Sequence, residues 1–150
     1  MTGKELWIEY CEKCHADKNA PCEAWSFGDD PDDLAELVCA GIKTATSSLY
    51  DLYEQEPDET VPKAGDTSII LNGSGEAVCV IRNTKVYQIR FCDVSPEHAC
   101  KEGEGDRSLA YWRKVHADFF GNEARRYGLN SMKIPMCCVK SLKWFTDLNN

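Results

Sequence analysis

The sequence predicts an α+β fold, a small curved sheet or barrel with helices beside it. Four or more strand-like segments alternate with a few helical ones, and neighbouring strands are joined in hairpin fashion. No period of about 20–50 residues marks a repeat architecture. At 150 residues, the chain fits one domain, and a domain of that size buries about 70% of the surface its unfolded chain exposes.

Each element has a local cause. In TGKELWIEYCEKCHA, Thr2 stands three residues before Glu5, the spacing of a capping box, and Leu6, Tyr10 and Cys14 recur at helical spacing. The stretch NAPCEAWSFGDD reads as a loop anchored by Trp25 and Phe27. A helix is predicted in DDPDDLAELVCAG, with Asp30 as cap, Pro31 in the first turn, Asp32 and Asp33 at the positive dipole end and Gly41 as the stop. Lys43 then falls just past a helix C-terminus, a position that suits a cation. After the acidic stretch YEQEPDETVPKAG, the segments DTSIILN, AVCVIRNT and KVYQIRFCDV read as three strands, the first two joined by the turn NGSGE. SPEHACKEGEGD reads as a Pro-initiated helical turn leading into a Gly-spaced acidic loop, with Asp106 capping the next helix. Leu109, Trp112, His116 and Phe119 mark one face of that helix, which runs to about Arg126. PMCCVKSLKWF is the last strand.

Composition narrows the function classes. A hydrophobic share of 43% and a charged share of 28% are those of a globular protein. No apolar run approaches the roughly 18 residues of a membrane span, and MTGKELWIEY has no basic or apolar signal regions, so no membrane partner and a cytoplasmic location are expected. The nine cysteines, an odd number, read as reduced and mostly buried small hydrophobes. Net charge is −8, yet residues 1–75 carry 5 basic and 16 acidic groups (−11), whereas residues 76–150 carry 12 and 9 (+3). Contact with a polyanion must therefore be local. Arg82, Lys85, Arg113 and Lys114 of the basic half are the candidates for phosphate contact, with solubility as their competing role. Tyr87 and Trp112 are candidates for stacking on a base, against core packing.

CEKCH matches a haem-attachment pattern, but the export context for that chemistry is not expected here. Cys11, Cys14, His15 and Cys22 have the right atoms for zinc at irregular spacing, with no second C-x-x-C, and the sequence leaves that question open. His98, Cys100 and His116 are a weaker set. No residue is assigned as a metal ligand and no cofactor is required.

Lys43 is the one Lys or Arg between Asn19 and Pro62. EGEGD, residues 102–106, places three carboxylates in five positions between glycines. Together they form a possible acid/base pair, with an acidic solvated loop as the plainer reading.

WSFGDDPDDLAELVCAGIKTATSSL, VPKAGDTSIILNGSGEAVCVIRNTKVYQIRF and HACKEGEGDRSLAYWRKVHADFF, taken together, resemble the ASCH domain family. The resemblance runs from about Trp25 to Phe145. It implies a single domain over residues 1–150: a helical extension over 1–24, then a core over 25–145 in the form of a PUA-like β-barrel flanked by helices. It also implies an RNA-related role. Some members are amidohydrolases acting on acetylated cytidine, and others are described as ribonucleases, in which case a divalent metal could take part. Fold alone does not choose between them.

Carried over on the G-x-K-T-x-T and A-x-x-E patterns, the hydrolase set falls on Lys43, Thr46 and Glu102, with Glu104 as the alternate carboxylate. The acetylcytidine hydrolases lack the EGEGD form found here. If KTATSSL is a regular strand, Lys43, Ala45 and Ser47 share one side and Thr46 lies on the other, which makes Ser47 the alternate hydroxyl. The expectation is recognition of RNA or a modified nucleoside in a cleft holding Lys43 and the EGEGD loop, with amide hydrolysis of N4-acetylcytidine-like substrates as the enzymatic form. An RNA-binding module with a regulatory role in translation and a metal-dependent ribonuclease are the alternatives.

Overall fold

The computed structural model of the chain describes residues 1–128 with their side chains and residues 136–145 as backbone. Helix α1 (Gly3–Cys14) starts at the expected capping box: Thr2 Oγ1 accepts from Glu5 N at 3.2 Å, and Glu5 Oε2 accepts from Thr2 N at 2.7 Å. Its buried face is Leu6, Tyr10 and Cys11, so Cys14 turns outward. Helix α2 (Pro31–Cys39) begins at Pro31 as predicted. Asp30 makes no side-chain cap. Asp32 accepts instead from Gly73 N at 2.8 Å, tying the helix to the NGSGE turn.

Five strands form one sheet: β1 (Cys22–Trp25), β2 (Ala45–Leu49), β3 (Thr67–Leu71), β4 (Ala77–Arg90) and β5 (Met136–Phe145), in the order β1-β3-β4-β5-β2. Two departures from the sequence reading have a common cause, which is pairing. CEAW, read as loop, is a strand because it lies parallel to β3, Cys22 against Thr67 through Trp25 against Ile70. AVCVIRNT and KVYQIR, read as two strands, are one. Its first half pairs with β3 and its whole length from Val80 onward pairs with β5, across a register shift between Asn83 and Lys85. Such an irregularity bends a strand and increases its twist.

The sheet curls but does not close, so the expected barrel is corrected to an open sheet. Strand β1 is paired only with β3, and β2 only with β5, among the described residues. A barrel needs its edge strands to bond to each other. Here the seam between them stays open.

Both faces of the sheet are covered. Val80 packs with Leu6 and Tyr10 of α1, while the next residue, Ile81, packs with Val38 of α2, as expected for side chains alternating across a strand. A third cluster joins Leu49 and Val94 to Ala99 of α4 (Pro96–Glu102) and to Trp112, Phe120 and Ala124 of α5 (Leu109–Arg126). The acidic stretch after β2 contains one turn of helix, α3 (Leu52–Gln55). Helix α5 is capped by Ser108, whose Oγ accepts from Tyr111 N at 3.1 Å. Asp106, the expected cap, accepts instead from Ser108 N at 2.9 Å. No helix among the described residues is long and apolar enough to cross a membrane.

Candidate functional site

The end of α2 aims Lys43. Gly41, at φ +73°, lets the chain reverse, with Gly41 N donating to Val38 O and Ile42 N to Leu37 O, both at 3.0 Å. This double bond pattern closes a helix through a left-handed residue. Thr44 N then donates to Lys101 O at 2.7 Å. Gly103, also at φ +73°, comes so close that a Cβ there would lie 2.8 Å from Ile42 O. These contacts lay residues 42–44 against 101–103, and Lys43 is drawn inward onto Glu102.

Lys43 and Glu102 are each 1% exposed. Lys43 Nζ lies 3.2 Å from Glu102 Oε1 and 3.5 Å from Glu104 Oε2, and donates to Glu102 O at 3.4 Å. Four further groups converge on Glu102. Ser47 Oγ donates to Oε2 at 2.9 Å, His98 Nε2 lies 2.7 Å from the same oxygen, Trp112 Nε1 donates to it, and His116 Nε2 lies 3.5 Å from Oε1. Burial pushes the Glu102 carboxyl up, but the Lys43 ammonium and hydrogen bonds from His116 and His98 outweigh it and hold it well below the usual carboxylate range. For His116, burial pushes down and the Glu102 carboxylate more than offsets it, so its proton is held more tightly than usual. The ring geometry agrees: His116 Nδ1 faces Trp112 O at 2.9 Å while Nε2 faces the carboxylate, two acceptors for two N–H groups.

Despite its composition, the cluster is not a nucleophile–base–acid triad. His98 Nε2 meets both Ser47 Oγ, at 2.8 Å, and Glu102 Oε2, whereas a triad base uses separate ring nitrogens for nucleophile and acid. Glu102, Glu104 and His116 have ligand atoms close enough to share a metal ion. The Lys43 ammonium already sits against both carboxylates, so a divalent ion would have to displace it. The donor set fits an internal cation better than a metal.

A cleft of about 680 Å³ lies along the free edges of β1 and β2, in the open seam. Its wall includes Trp25, Phe27, Thr46, Ser47, Tyr53 and Asn83. Lys43 and the EGEGD residues are not in that wall, so the expected cleft holding both is corrected: the ion pair lies beneath it. Two residues join the levels. Ser47 lines the cleft and donates to Glu102. Phe27 lines it too, its ring centroid 5.6 Å from Lys43 Nζ.

Of the candidates named from sequence, Lys43, Glu102, Ser47 and Glu104 come together. Thr46 lines the cleft, and no hydrogen bond joins its side chain to the ion pair among the described residues. Arg82, Lys85, Tyr87, Arg113 and Lys114 all lie outside the cleft wall. Arg82 donates to Tyr10 OH at 2.8 Å, Lys85 sits 5.2 Å from the Tyr87 ring centroid, and Arg113 donates to Cys92 O at 3.1 Å. Trp112 is core, as its helical face indicated, and binds Glu102 as well. Cys11, Cys14, His15 and Cys22 form no metal-sized cluster among the described residues, nor do His98, Cys100 and His116. The sequence reading missed the role of His98 and His116 as partners of Glu102. The i,i+4 spacing of His98 and Glu102 was the available signal.

Fold and site define an α+β domain whose open sheet holds a cleft above a buried lysine–glutamate pair. The ASCH domain profile matches residues 23–141, and the chain belongs to that family. Two crystal structures are similar over most of both chains. The ASCH domain of Lactobacillus crispatus has 28% identity and a TM-score of 0.82 and covers 94% of this chain and 92% of its own. A protein of Enterococcus faecalis has 33% identity and a TM-score of 0.82, over 94% and 90%. The ASCH protein of Zymomonas mobilis shares the fold alone, at 9% identity and a TM-score of 0.50 over 81% of this chain and 65% of its own. No curated protein matches the sequence.

Proposed function

We propose that the chain recognises a single nucleobase, displayed by RNA or carried by a modified nucleoside, in the cleft along the free edge of β2. Ser47 carries this reading. Its hydroxyl proton goes to Glu102 at 2.9 Å and His98 Nε2 faces its oxygen at 2.8 Å, which leaves one further oxygen lone pair for a ligand N–H in the cleft. The volume of about 680 Å³ is that of a small-molecule site, and the rings of Trp25 and Tyr53 offer stacking surface. The link of the ASCH family to RNA supports the nucleobase as ligand class. Buried and ionised, the Lys43–Glu102 pair serves here to hold Ser47 in one orientation.

Amide hydrolysis is the second reading, favoured by the convergence of Lys43, Ser47 and Glu102. In it Ser47, the hydroxyl that reaches the cleft, attacks the amide carbonyl while Glu102 receives its proton and returns it to the leaving nitrogen as the C–N bond breaks, and water then hydrolyses the seryl ester. A carboxyl held well below its usual range is a weak base, which is why recognition ranks first. Incubating the protein and its Ser47→Ala variant with N4-acetylcytidine, with chromatographic detection of cytidine and Trp fluorescence for binding, separates the two. Saturable binding without turnover, weakened about tenfold in the variant, supports recognition. Turnover lost in the variant establishes hydrolysis. No binding of this nucleoside, of the four common nucleosides or of short RNA would overturn both.

A further inference from the structure

The described wall of the cleft is acidic, although the second half of the chain is basic. Glu23, Glu56, Glu59, Asp66 and Glu123 line it, and no Lys, Arg or His does so among the described residues. Lys43, a buried cation, lies 5.6 Å from the centroid of the Phe27 ring and is committed to Glu102 and Glu104. Among the acidic groups, Glu123 is half-buried, and burial pushes its carboxyl up by more than the Arg126 charge nearby pulls it down, which leaves it a carboxylate short of solvation. Carboxylates around a concave, partly desolvated surface add their fields there, so a bound phosphate is repelled and a bound cation attracted. The rings act in the same direction. Trp25, Phe27, Tyr53 and Phe119 line the same space, and the face of an aromatic ring attracts positive charge.

We propose that the cleft selects a planar organic cation over its neutral or phosphorylated counterpart. Under the nucleobase reading, on which this ligand identity rests, the ligand is a nucleoside whose ring carries a fixed positive charge through N-alkylation. The selection itself rests on the charge and rings of the wall alone. Association needs no covalent step. The positive ring stacks on an aromatic wall, its charge faces the carboxylates, and its N–H groups meet Ser47 Oγ.

The test is calorimetric titration of the full chain with pairs that differ by one N-methyl group and its positive charge. 1-Methyladenosine, cationic at neutral pH, is compared with adenosine and with adenosine 5′-monophosphate, and the N-methylnicotinamide cation with nicotinamide. The cation of a pair is expected to bind at least about tenfold more tightly, with the preference shrinking as salt rises from about 0.05 to 1 M. Glu123→Gln and Glu56→Gln are each expected to reduce the preference by about threefold. Equal or tighter binding of the neutral or phosphorylated member would overturn the proposal, as would a preference unmoved by salt and by both variants. A preference within the nicotinamide pair with no nucleoside bound would support the charge selection and overturn the nucleobase reading. Tight binding of adenosine and 1-methyladenosine alike would do the reverse.

Discussion

Lys43→Met is the most direct perturbation of the site, because burial rather than distance sets its cost. The chain contains an internal control. Lys13 Nζ lies 3.0 Å from Glu9 Oε1, slightly closer than the 3.2 Å of Lys43 to Glu102, but the first pair is about one-third exposed and the second 1%. An exposed pair on one helix turn contributes about 0.3–0.5 kcal/mol. Removing one partner of a buried pair leaves the other charged and desolvated, which costs about 3–5 kcal/mol. Glu102 would keep its contacts with Ser47, His98, Trp112 and His116, which places the expected loss nearer 3 than 5. Against a total stability of about 5–15 kcal/mol, that shift is readily seen in urea titrations followed by tryptophan fluorescence. Lys13→Met should cost under about 0.5 kcal/mol in the same assay. Because Glu102→Gln removes the charge that Lys43 leaves stranded, the double variant should be less destabilised than the sum of the singles. Equal losses for Lys43→Met and Lys13→Met, or strict additivity in the double variant, would refute the buried pair.

The same cluster sets a pH window. Glu102 has a folded pKa below its ordinary value of 4.5, so its contribution is present above that value and lost as pH falls through the folded pKa. His116 has a folded pKa above 6.5, so its contribution is complete below 6.5 and lost as pH rises through the folded pKa. Within this cluster, thermal melts should therefore show most stabilisation between pH 4.5 and 6.5, with both limbs flattened in Glu102→Gln; an unchanged profile in that variant would count against the linkage. Gly103→Ala, at φ +73° with Ile42 O only 2.8 Å from the new Cβ, should lose about 1–3 kcal/mol, and a variant as stable as the parent in urea would show that the segments are not in contact. Ser47→Ala should cost about 1.5–3 kcal/mol through its charged partner, whereas Thr46→Ala should cost less than about 1 kcal/mol. The reverse order would place Thr46 rather than Ser47 on the pair.

What the sequence made legible was local. Capping at Thr2, the Pro31 start, the Gly41 stop and the 3–4 spacing in α5 depend on neighbours within a turn, and each is visible in the structure. Long-range pairing was not legible. CEAW has no strand pattern of its own and becomes one beside Thr67–Leu71, and nothing local says that Asn83 and Lys85 belong to one bent strand. At the site, simple alternation placed Ser47 with Lys43, and the structure does the same through Glu102. A lysine just past a helix end, however, reads as a solvated cation. Its burial depends on contacts between residues 42–44 and 101–103, nearly sixty positions apart.

The departure from a closed barrel also locates the site. Had β1 and β2 bonded to each other, their edges would have been satisfied by backbone and the space between them filled. Left open, the seam exposes the edge of β2 and places its hydroxyls in a cleft, while the opposite edge remains fixed to β5. A polar edge in a concave space is suited to a ligand rather than to another strand, since side chains and α3 crowd the approach. Under the proposed recognition, Ser47 is the residue through which occupancy of the cleft and ionisation of the buried pair are linked. A ligand N–H on its oxygen strengthens the hydroxyl's bond to Glu102, and protonation of Glu102 removes the acceptor that orients the hydroxyl. Binding and the acid limb of stability should therefore weaken together, and Ser47→Ala should uncouple them.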